Sequence, residues 1–265
     1  MVYRIVMRDL KSRCKQTALG PFWIVVMPMI SAGLMSLILG GVAGLDAKKG
    51  ANGLEMPYFV FVLAGQLIWG AYTNACGASA SGLRSQSGLL TKVYFPRLIA
   101  PITGIANGLL DFILLLVVLF IFMIAFGMTF PWQIVLMPVF VILAWMVGMS
   151  WGLWIASISV RFRDLGRITG FLNKILVWGT PIFWSSQYVL EDKAGTIPGR
   201  WQPLAEVAIQ INPLFHVVEG FRWATLGADW HVSMYTVISL GLCALLFVGG
   251  LYQFRRVDAN VADFI

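Results

Sequence analysis

Apolar residues along this chain gather into six long blocks, Phe22–Ala43, Pro57–Cys76, Pro101–Phe126, Trp132–Ser157, Ile168–Tyr188 and Ser233–Phe254. Short intervals rich in glycine, proline and basic residues separate them. A helix of about 20 apolar residues crosses a hydrocarbon core of roughly 30 Å. Inside a bilayer only helices and closed barrels satisfy their own backbone hydrogen bonds. The blocks lack the apolar–polar alternation of a barrel strand. The expected fold is therefore all-α and integral to the membrane, with six transmembrane helices in one domain covering residues 1–265.

Two intervals have patterns of their own. In residues 1–20, Arg4, Arg8, Lys11 and Lys15 fall on one stripe at helical spacing, with Val2, Val6, Met7 and Leu10 pointing away. Asp9 and Arg13 form an i,i+4 pair. The pattern predicts an amphipathic helix lying at the membrane surface, where its bases meet anionic headgroups. Gly20 and Pro21 then supply a stop and a start before the first span. Residues 191–231 are too polar to span and too apolar for an ordinary loop. Asn212-Pro213 reads as an N-cap followed by proline in the first turn. It opens a short helix over Pro213–Leu226, and Leu204–Ile211 forms another. Both are expected to be external and to re-enter the membrane without crossing it, which is tolerated where protein or a water-filled cavity surrounds the backbone.

Composition strengthens the membrane reading. Of 265 residues, 59% are hydrophobic and only 12% charged, about half the charge of a soluble domain. The net charge of +7 sits in short loops and so reports topology, not nucleic acid. Alternate intervals carry fourteen bases on one side: Arg4, Arg8, Lys11, Arg13, Lys15, Arg84, Lys92, Arg97, Arg161, Arg163, Arg167, Lys174, Arg255 and Arg256. Five lie on the other: Lys48, Lys49, Lys193, Arg200 and Arg222. The positive-inside rule places both termini in the cytoplasm. The three cysteines, Cys14, Cys76 and Cys243, have neither metal spacing nor the even count of a disulfide framework.

Candidate chemistry is sparse. No GxxxxGK[ST] loop occurs, so ATP binding of the P-loop kind lies outside this chain. His216 and His231 have no partner at metal-ligand spacing and read as polar surface residues. Asp111 stands alone as an acid within an apolar span, which marks an intramembrane functional group by default. Asn107, one turn earlier on the same face, favours polar glue between helices over transport chemistry. Glu219 and Arg222, spaced i,i+3 on the second short helix, read as a local helix-surface ion pair or as a polar device at a gate. Many of the eleven tryptophans, Trp23, Trp132, Trp184, Trp201 and Trp230 among them, sit near span ends, where an interfacial belt explains them. Trp69, Tyr72 and Trp178 lie within spans and are candidates for a channel lining on which sugar rings could stack.

Particular segments resemble a known family. RDLKSRCKQTALGPFW (Arg8–Trp23), LLTKVYFPRLIAP (Leu89–Pro101), SVRFRDLGRI (Ser159–Ile168), INPLFHVVEGFRWATLG (Ile211–Gly227) and FRRVDANVADFI (Phe254–Ile265) are similar, in order, to the ABC type-2 permeases. Those proteins export O-antigen, capsule or teichoic-acid polymers. Cys14 departs from that pattern, standing where an aromatic is common. The resemblance implies a permease subunit in the bacterial inner membrane that forms a homodimer and binds two copies of a separate ATPase. ATP and magnesium would sit on that partner, and this chain would hold no cofactor and catalyse nothing. The cargo implied is a lipid-linked polysaccharide on an undecaprenyl diphosphate carrier. The resemblance also makes residues 82–95 a cytoplasmic coupling helix. Leu89, Leu90, Lys92, Tyr94 and Arg97 would then contact the ATPase as an apolar anchor with a polar rim. Rival readings are an exporter of a small amphiphile or drug, and a membrane-embedded transferase, which would need clustered acids or histidines. The basic asymmetry gives a direct test: reporter fusions at Lys11 and after Ile265 report cytoplasm, and one at Gly195 reports the outside. A cytoplasmic Gly195 refutes the six-span topology.

Overall fold

The computed structural model describes residues 22–45, 56–81, 99–159, 165–190, 200–230 and 232–260. Among them every regular element is helical and no strand occurs. Helix α1 (Phe22–Met35) carries Pro28 inside it and continues as a π-helical stretch, Ser36–Val42. Gly44, at φ +63°, closes that stretch. Then follow α2 (Tyr58–Ser81), α3 (Ile99–Ala125) and α4 (Met137–Ser159), the last entered through a 3-10 turn at Trp132–Leu136. The rest comprises α5 (Leu165–Leu176), α6 (Gln187–Leu190), α7 (Gln202–Gln210), α8 (Pro213–Leu226) and α9 (Met234–Asn260). Among the described residues, five helical stretches are long and apolar enough to cross a membrane: Phe22–Val42, Tyr58–Ser81, Gly104–Ala125, Trp132–Ser159 and Met234–Arg256.

The fifth apolar block departs from expectation. A continuous helix over Ile168–Tyr188 is expected, but α5 stops at Leu176 and the chain runs through turns to Ser186. At about 1.5 Å per residue, twelve residues rise only about 18 Å. The cause is local. Pro181 has no N–H to give the carbonyl four residues back, its ring crowds the preceding turn, and Thr180 before it is pushed out of the helical region. The two short helices fall close to their expected places. Asn212 caps α8, accepting from the Leu214 backbone N–H at 3.0 Å. Gly227 ends it in the left-handed region at φ +68°, where a residue without Cβ is favoured.

Helix α2 is the hub, packing against α1, α3, α4, α5 and α8. Lipid is as apolar as leucine, so helices here gain from close contact and small residues at the crossings. Two glycine pairs, each four residues apart, supply that contact. On α4, a Cβ at Gly148 would strike the Tyr72 carbonyl, and one at Gly152 would lie 2.5 Å from the Cys76 carbonyl. On α3, a Cβ at Gly104 would overlap Ala78, and one at Gly108 would lie 2.8 Å from the Asn74 amide. Helix α9 joins α4 through Trp154, whose Nε1 donates to the Leu246 carbonyl at 2.9 Å. Helix α8 is the most enclosed: Leu214 through Arg222 are all buried, and Gly220 admits the Phe140 ring of α4. Gly148→Val should lower the thermal midpoint of the detergent-solubilised protein, at a cost of about 1–3 kcal/mol for overpacking. Gly241→Ala in α9, where no atom lies within 4 Å of the new Cβ, should leave it unchanged.

Candidate functional site

The spanning helices differ in what they leave uncovered. Outward residues of α1 include Met27 and Leu34, those of α3 Val117 and Ile121, those of α4 Val139 and Ile142, and those of α9 Val237 and Leu245. All are large and apolar, as lipid requires. On α2 the aromatic pair Tyr58 and Phe59 is partly exposed at the start of the helix, and beyond it the uncovered positions are Gln66, Trp69, Gly70, Thr73, Asn74, Gly77, Ala78, Ala80 and Ser81. They recur at helical spacing, form one strip, and apart from Trp69 are small or polar. The Gln66 Nε2 donates to Ser31 Oγ of α1 at 2.9 Å, and the Thr73 hydroxyl returns to the Trp69 carbonyl at 2.9 Å. A strip of this composition facing hydrocarbon would gain nothing from burial in lipid. It suits water, a polar cargo or another protein surface.

Beside the strip, between α1, α2 and α3, lies a cavity of about 430 Å³ lined by Trp23, Pro28, Thr73, Asn74, Gly108 and Asp111 among others. The Asp111 side chain thus opens onto a cavity wall that α2 shares, and Asn107 is buried one turn away. On the opposite flank the Tyr72 hydroxyl donates to Asn173 Oδ1 of α5 at 3.1 Å. That bond lies against a second, almost wholly apolar cavity of about 150 Å³ between α2, α4 and α5.

The expected channel residues therefore occupy different surroundings. Trp69 is half-buried on the strip and its ring lies 5.0 Å from that of Tyr72. Tyr72 itself is 2% exposed and turns toward α5. Trp178 stands exposed beyond the end of α5, with its ring 5.4 Å from Phe183. The interfacial-helix residues Arg4, Arg8, Lys11, Arg13 and Lys15 lie outside the described residues. So do the coupling residues Leu89, Leu90, Lys92, Tyr94 and Arg97, as well as His231.

Glu219 and Arg222 correct the surface reading most sharply. Arg222 is wholly buried and Glu219 nearly so, with Nη1 of Arg222 3.2 Å from Glu219 Oε1. The guanidinium does more than pair. Its Nε and Nη2 donate to the Phe61 carbonyl of α2 at 3.3 and 3.2 Å, and Nη2 also donates to the Ile182 carbonyl at 2.6 Å. Nη1 donates to the Pro181 carbonyl as well. The guanidinium lies 3.6 Å from the centre of the Phe61 ring. The Pro181 and Ile182 carbonyls are among those that the interrupted fifth block leaves without helical partners. Other side chains complete the cover. Tyr58 OH donates to the Phe183 carbonyl at 2.6 Å, Thr180 Oγ1 to the Leu176 carbonyl at 2.8 Å, and Asn212 Nδ2 to Thr180 Oγ1 at 3.0 Å. Ser186 Oγ donates to Glu219 Oε2 at 2.8 Å. Gly65 makes room, since a Cβ there would sit 2.5 Å from Arg222 Nη2. Burial lowers the Arg222 pKa while Glu219 pulls it back up, and the group stays cationic at neutral pH.

His216 is likewise buried, not a surface residue. Its Nε2 meets the Gln210 carbonyl at 2.8 Å and its Nδ1 meets Thr236 Oγ1 at 3.1 Å, tying α8 to the end of α7 and the start of α9. A carbonyl only accepts, so Nε2 carries the proton and Nδ1 accepts from the threonine hydroxyl. Burial lowers the imidazole pKa below its ordinary 6.5, against the pull of the Gln210 carbonyl and the Glu219 charge.

A helical bundle whose hub keeps one polar face open while its neighbours turn apolar faces outward has the build of a membrane transport subunit. The chain belongs to the ABC-2 type transporter family, which matches residues 2–226; the family works with an ATPase partner, and its members are permease subunits. Among its relatives is the O-antigen export system permease protein RfbA of Myxococcus xanthus, 26% identical over 216 residues, covering 82% of this chain and 80% of that one. Another is the O-antigen export system permease protein RfbA of Klebsiella pneumoniae, 25% identical over 215 residues, with 80% and 78% covered.

Replacing Arg222 with Met strands Glu219 and the carbonyls of the break, and should destabilise by roughly 3–5 kcal/mol. Arg222→Lys should recover little, because one ammonium cannot copy the guanidinium fork. Adding Glu219→Met to Arg222→Met should restore part of the loss, read as thermal midpoint in detergent. The histidine gives a pH dependence. With the folded pKa depressed, the unfolded chain binds more protons, so stability is full above 6.5 and falls as pH drops through that value. His216→Gln should flatten that slope in thermal melts taken from neutral to mildly acidic pH.

Proposed function

We propose that this chain is the membrane half of an ATP-driven exporter that carries a lipid-linked polysaccharide across the bacterial inner membrane, with O-antigen on an undecaprenyl diphosphate carrier as the cargo. The observation that carries the reading is the strip of small and polar residues on α2, left uncovered in a bundle whose other long helices turn large apolar residues outward. The two RfbA relatives named for O-antigen export support the choice of cargo.

In this reading two copies of the chain face each other and two ATPase subunits dock beneath them. ATP and magnesium bind on the ATPases, and this chain supplies the passage. The sixth span is the broken segment of α5 with the turns after it, and α7 and α8 re-enter from the outer side within the gate region of residues 191–231. Both termini lie in the cytoplasm, residues 1–20 lie on the membrane surface, and residues 82–95 transmit ATPase motion. A long polymer passes best over many weak contacts. Gln66, Thr73, Asn74 and Ser81 offer hydrogen bonds of modest net worth, about 0.5–1.5 kcal/mol each, and the Trp69 face offers stacking. No single position traps the chain.

The pair Gly70→Leu with Thr73→Leu should remove most surface polymer from a strain dependent on this transporter. Protein level and co-purification with the ATPase should stay unchanged in the same cells. Full export from that variant would show that the cargo does not pass along α2. Trp69→Leu with Tyr72→Leu tests the rings separately, and normal export there would assign them to packing.

A further inference from the structure

Four buried hydroxyls of this bundle, those of Ser150, Ser157, Thr180 and Thr225, donate to the carbonyl four residues back at 2.7 to 2.9 Å. Thr169 of α5 does not. It is 8% exposed, and its Oγ1 has no hydrogen-bond partner among the described residues. A buried donor left unpaired is costly. Thr169 lines the apolar cavity of about 150 Å³ between α2, α4 and α5, together with Trp151, Ile155, Leu172, Ile175 and Leu176 among others. Trp151, Leu172 and Ile175 are exposed, so the cavity opens on the lipid-facing surface. Tyr72 OH and Asn173 Oδ1 on the same wall already hold each other. A water there would fall short of the two to four polar partners it needs, whereas an apolar cavity of this size takes about six carbons of hydrocarbon, the bulk of a benzene ring.

The level of the hydroxyl decides which part of a lipid reaches it. The spanning stretch Trp132–Ser159 has 28 residues and so rises about 42 Å. That matches a bilayer of about 40–45 Å with its headgroup regions, and the hydrocarbon core of about 30 Å then begins about 6 Å inside each helix end. Ile155 stands four residues before Ser159, about 6 Å from that end, and it shares the cavity with Thr169. The hydroxyl therefore lies at the edge of the core, where acyl chains join their ester carbonyls. Leu172, Ile175 and Leu176 continue the wall deeper into the core. An ester carbonyl accepts and cannot donate, so it suits a lone hydroxyl. No charged side chain is among the described residues lining the cavity, so a diphosphate finds no counter-charge there, and a polyisoprenyl chain brings no acceptor to this level. We infer that the cavity seats one acyl chain of a glycerophospholipid from the leaflet at the Ser159 end of α4, with Thr169 Oγ1 donating to the ester carbonyl of that chain. Helix α5 rests on α2 and α4 with this gap beneath it, and the lipid chain completes its packing. The leaflet is cytoplasmic in the orientation proposed above, and nothing else in the inference rests on the export reading.

The test places the full-length chain in vesicles of phosphatidylethanolamine and phosphatidylglycerol, doped with a phosphatidylethanolamine that carries a diazirine on one acyl chain. After irradiation the labelled peptides are mapped by mass spectrometry, with exposed Val237 and Leu245 of α9 as the reference for ordinary lipid contact. Labelling of Ile155, Leu172 or Ile175 should exceed that reference. Thr169→Val keeps the shape, removes the donor, and should lower the excess about two- to tenfold, the effect of losing one hydrogen bond. Thr169→Ser should keep it. A dialkyl ether analogue of the probe has no carbonyl and should label the unmodified chain at the reduced level. Each reading is a ratio within one protein sample, so a lower yield of a variant does not imitate the effect. Labelling no higher than the reference refutes the seat. Excess labelling that survives both Thr169→Val and the ether probe refutes the ester anchor. Stronger labelling of these residues by a diazirine-bearing polyisoprenyl diphosphate would assign the cavity to a carrier lipid and overturn the inference.

Discussion

An interrupted helix inside a membrane protein leaves carbonyls that neither lipid nor the next turn can satisfy, and in this chain one buried guanidinium answers two adjacent ones at once. Pro181 makes the break. Arg222, arriving from α8, donates at once to the carbonyls of Pro181 and Ile182 and to that of Phe61 on α2. No other side chain offers five donors in a rigid fork, and none keeps its charge so reliably when buried. Glu219 balances the charge from one turn away, and Gly65 leaves the space on α2. Three chain segments far apart in sequence are thereby pinned at one point. The enclosure of α8 goes with that pin.

The crowding of α2 comes next in the causal order. Glycines on α3 and α4 let those backbones approach it closely, α8 closes a further side through Arg222, and α1 touches it through Ser31 and Gln66. What stays uncovered beyond Phe59 is a single strip, whose residues apart from Trp69 are small or polar. Position and composition thus agree. The same α2 residues set depth for their neighbours, Asn74 for α3 and Tyr72 for α5.

The outer short helices are held by polar contacts that match their sequence chemistry. His216 bridges α7, α8 and α9 in one tautomer, and Asn212 serves both as the cap of α8 and as a donor to Thr180 at the break. Each is a side chain doing for the backbone what a longer helix would have done for itself. Motion of α8 would therefore move the break and the start of α9 with it.

The sequence by itself determined the all-helical membrane architecture, because long apolar blocks admit few other solutions in lipid. It also placed four of the five long helices closely, and α8 to the residue, since the Asn-Pro start and the glycine stop are local chemistry. The glycine pairs at Gly104–Gly108 and Gly148–Gly152 were legible signals of close crossings, four residues apart on one helix face, though block length alone does not show them. Pro181 likewise announced the break that an apolar run of adequate length conceals. Only the tertiary structure decided that Glu219 and Arg222 are buried, that His216 is a strut, and that Tyr72 turns away from the strip where Trp69 stays. Spacing along one helix fixes which residues share a face. Which face is covered, and by what, depends on partners 30 to 160 positions away, such as Ser186 for Glu219 and Phe61 for Arg222.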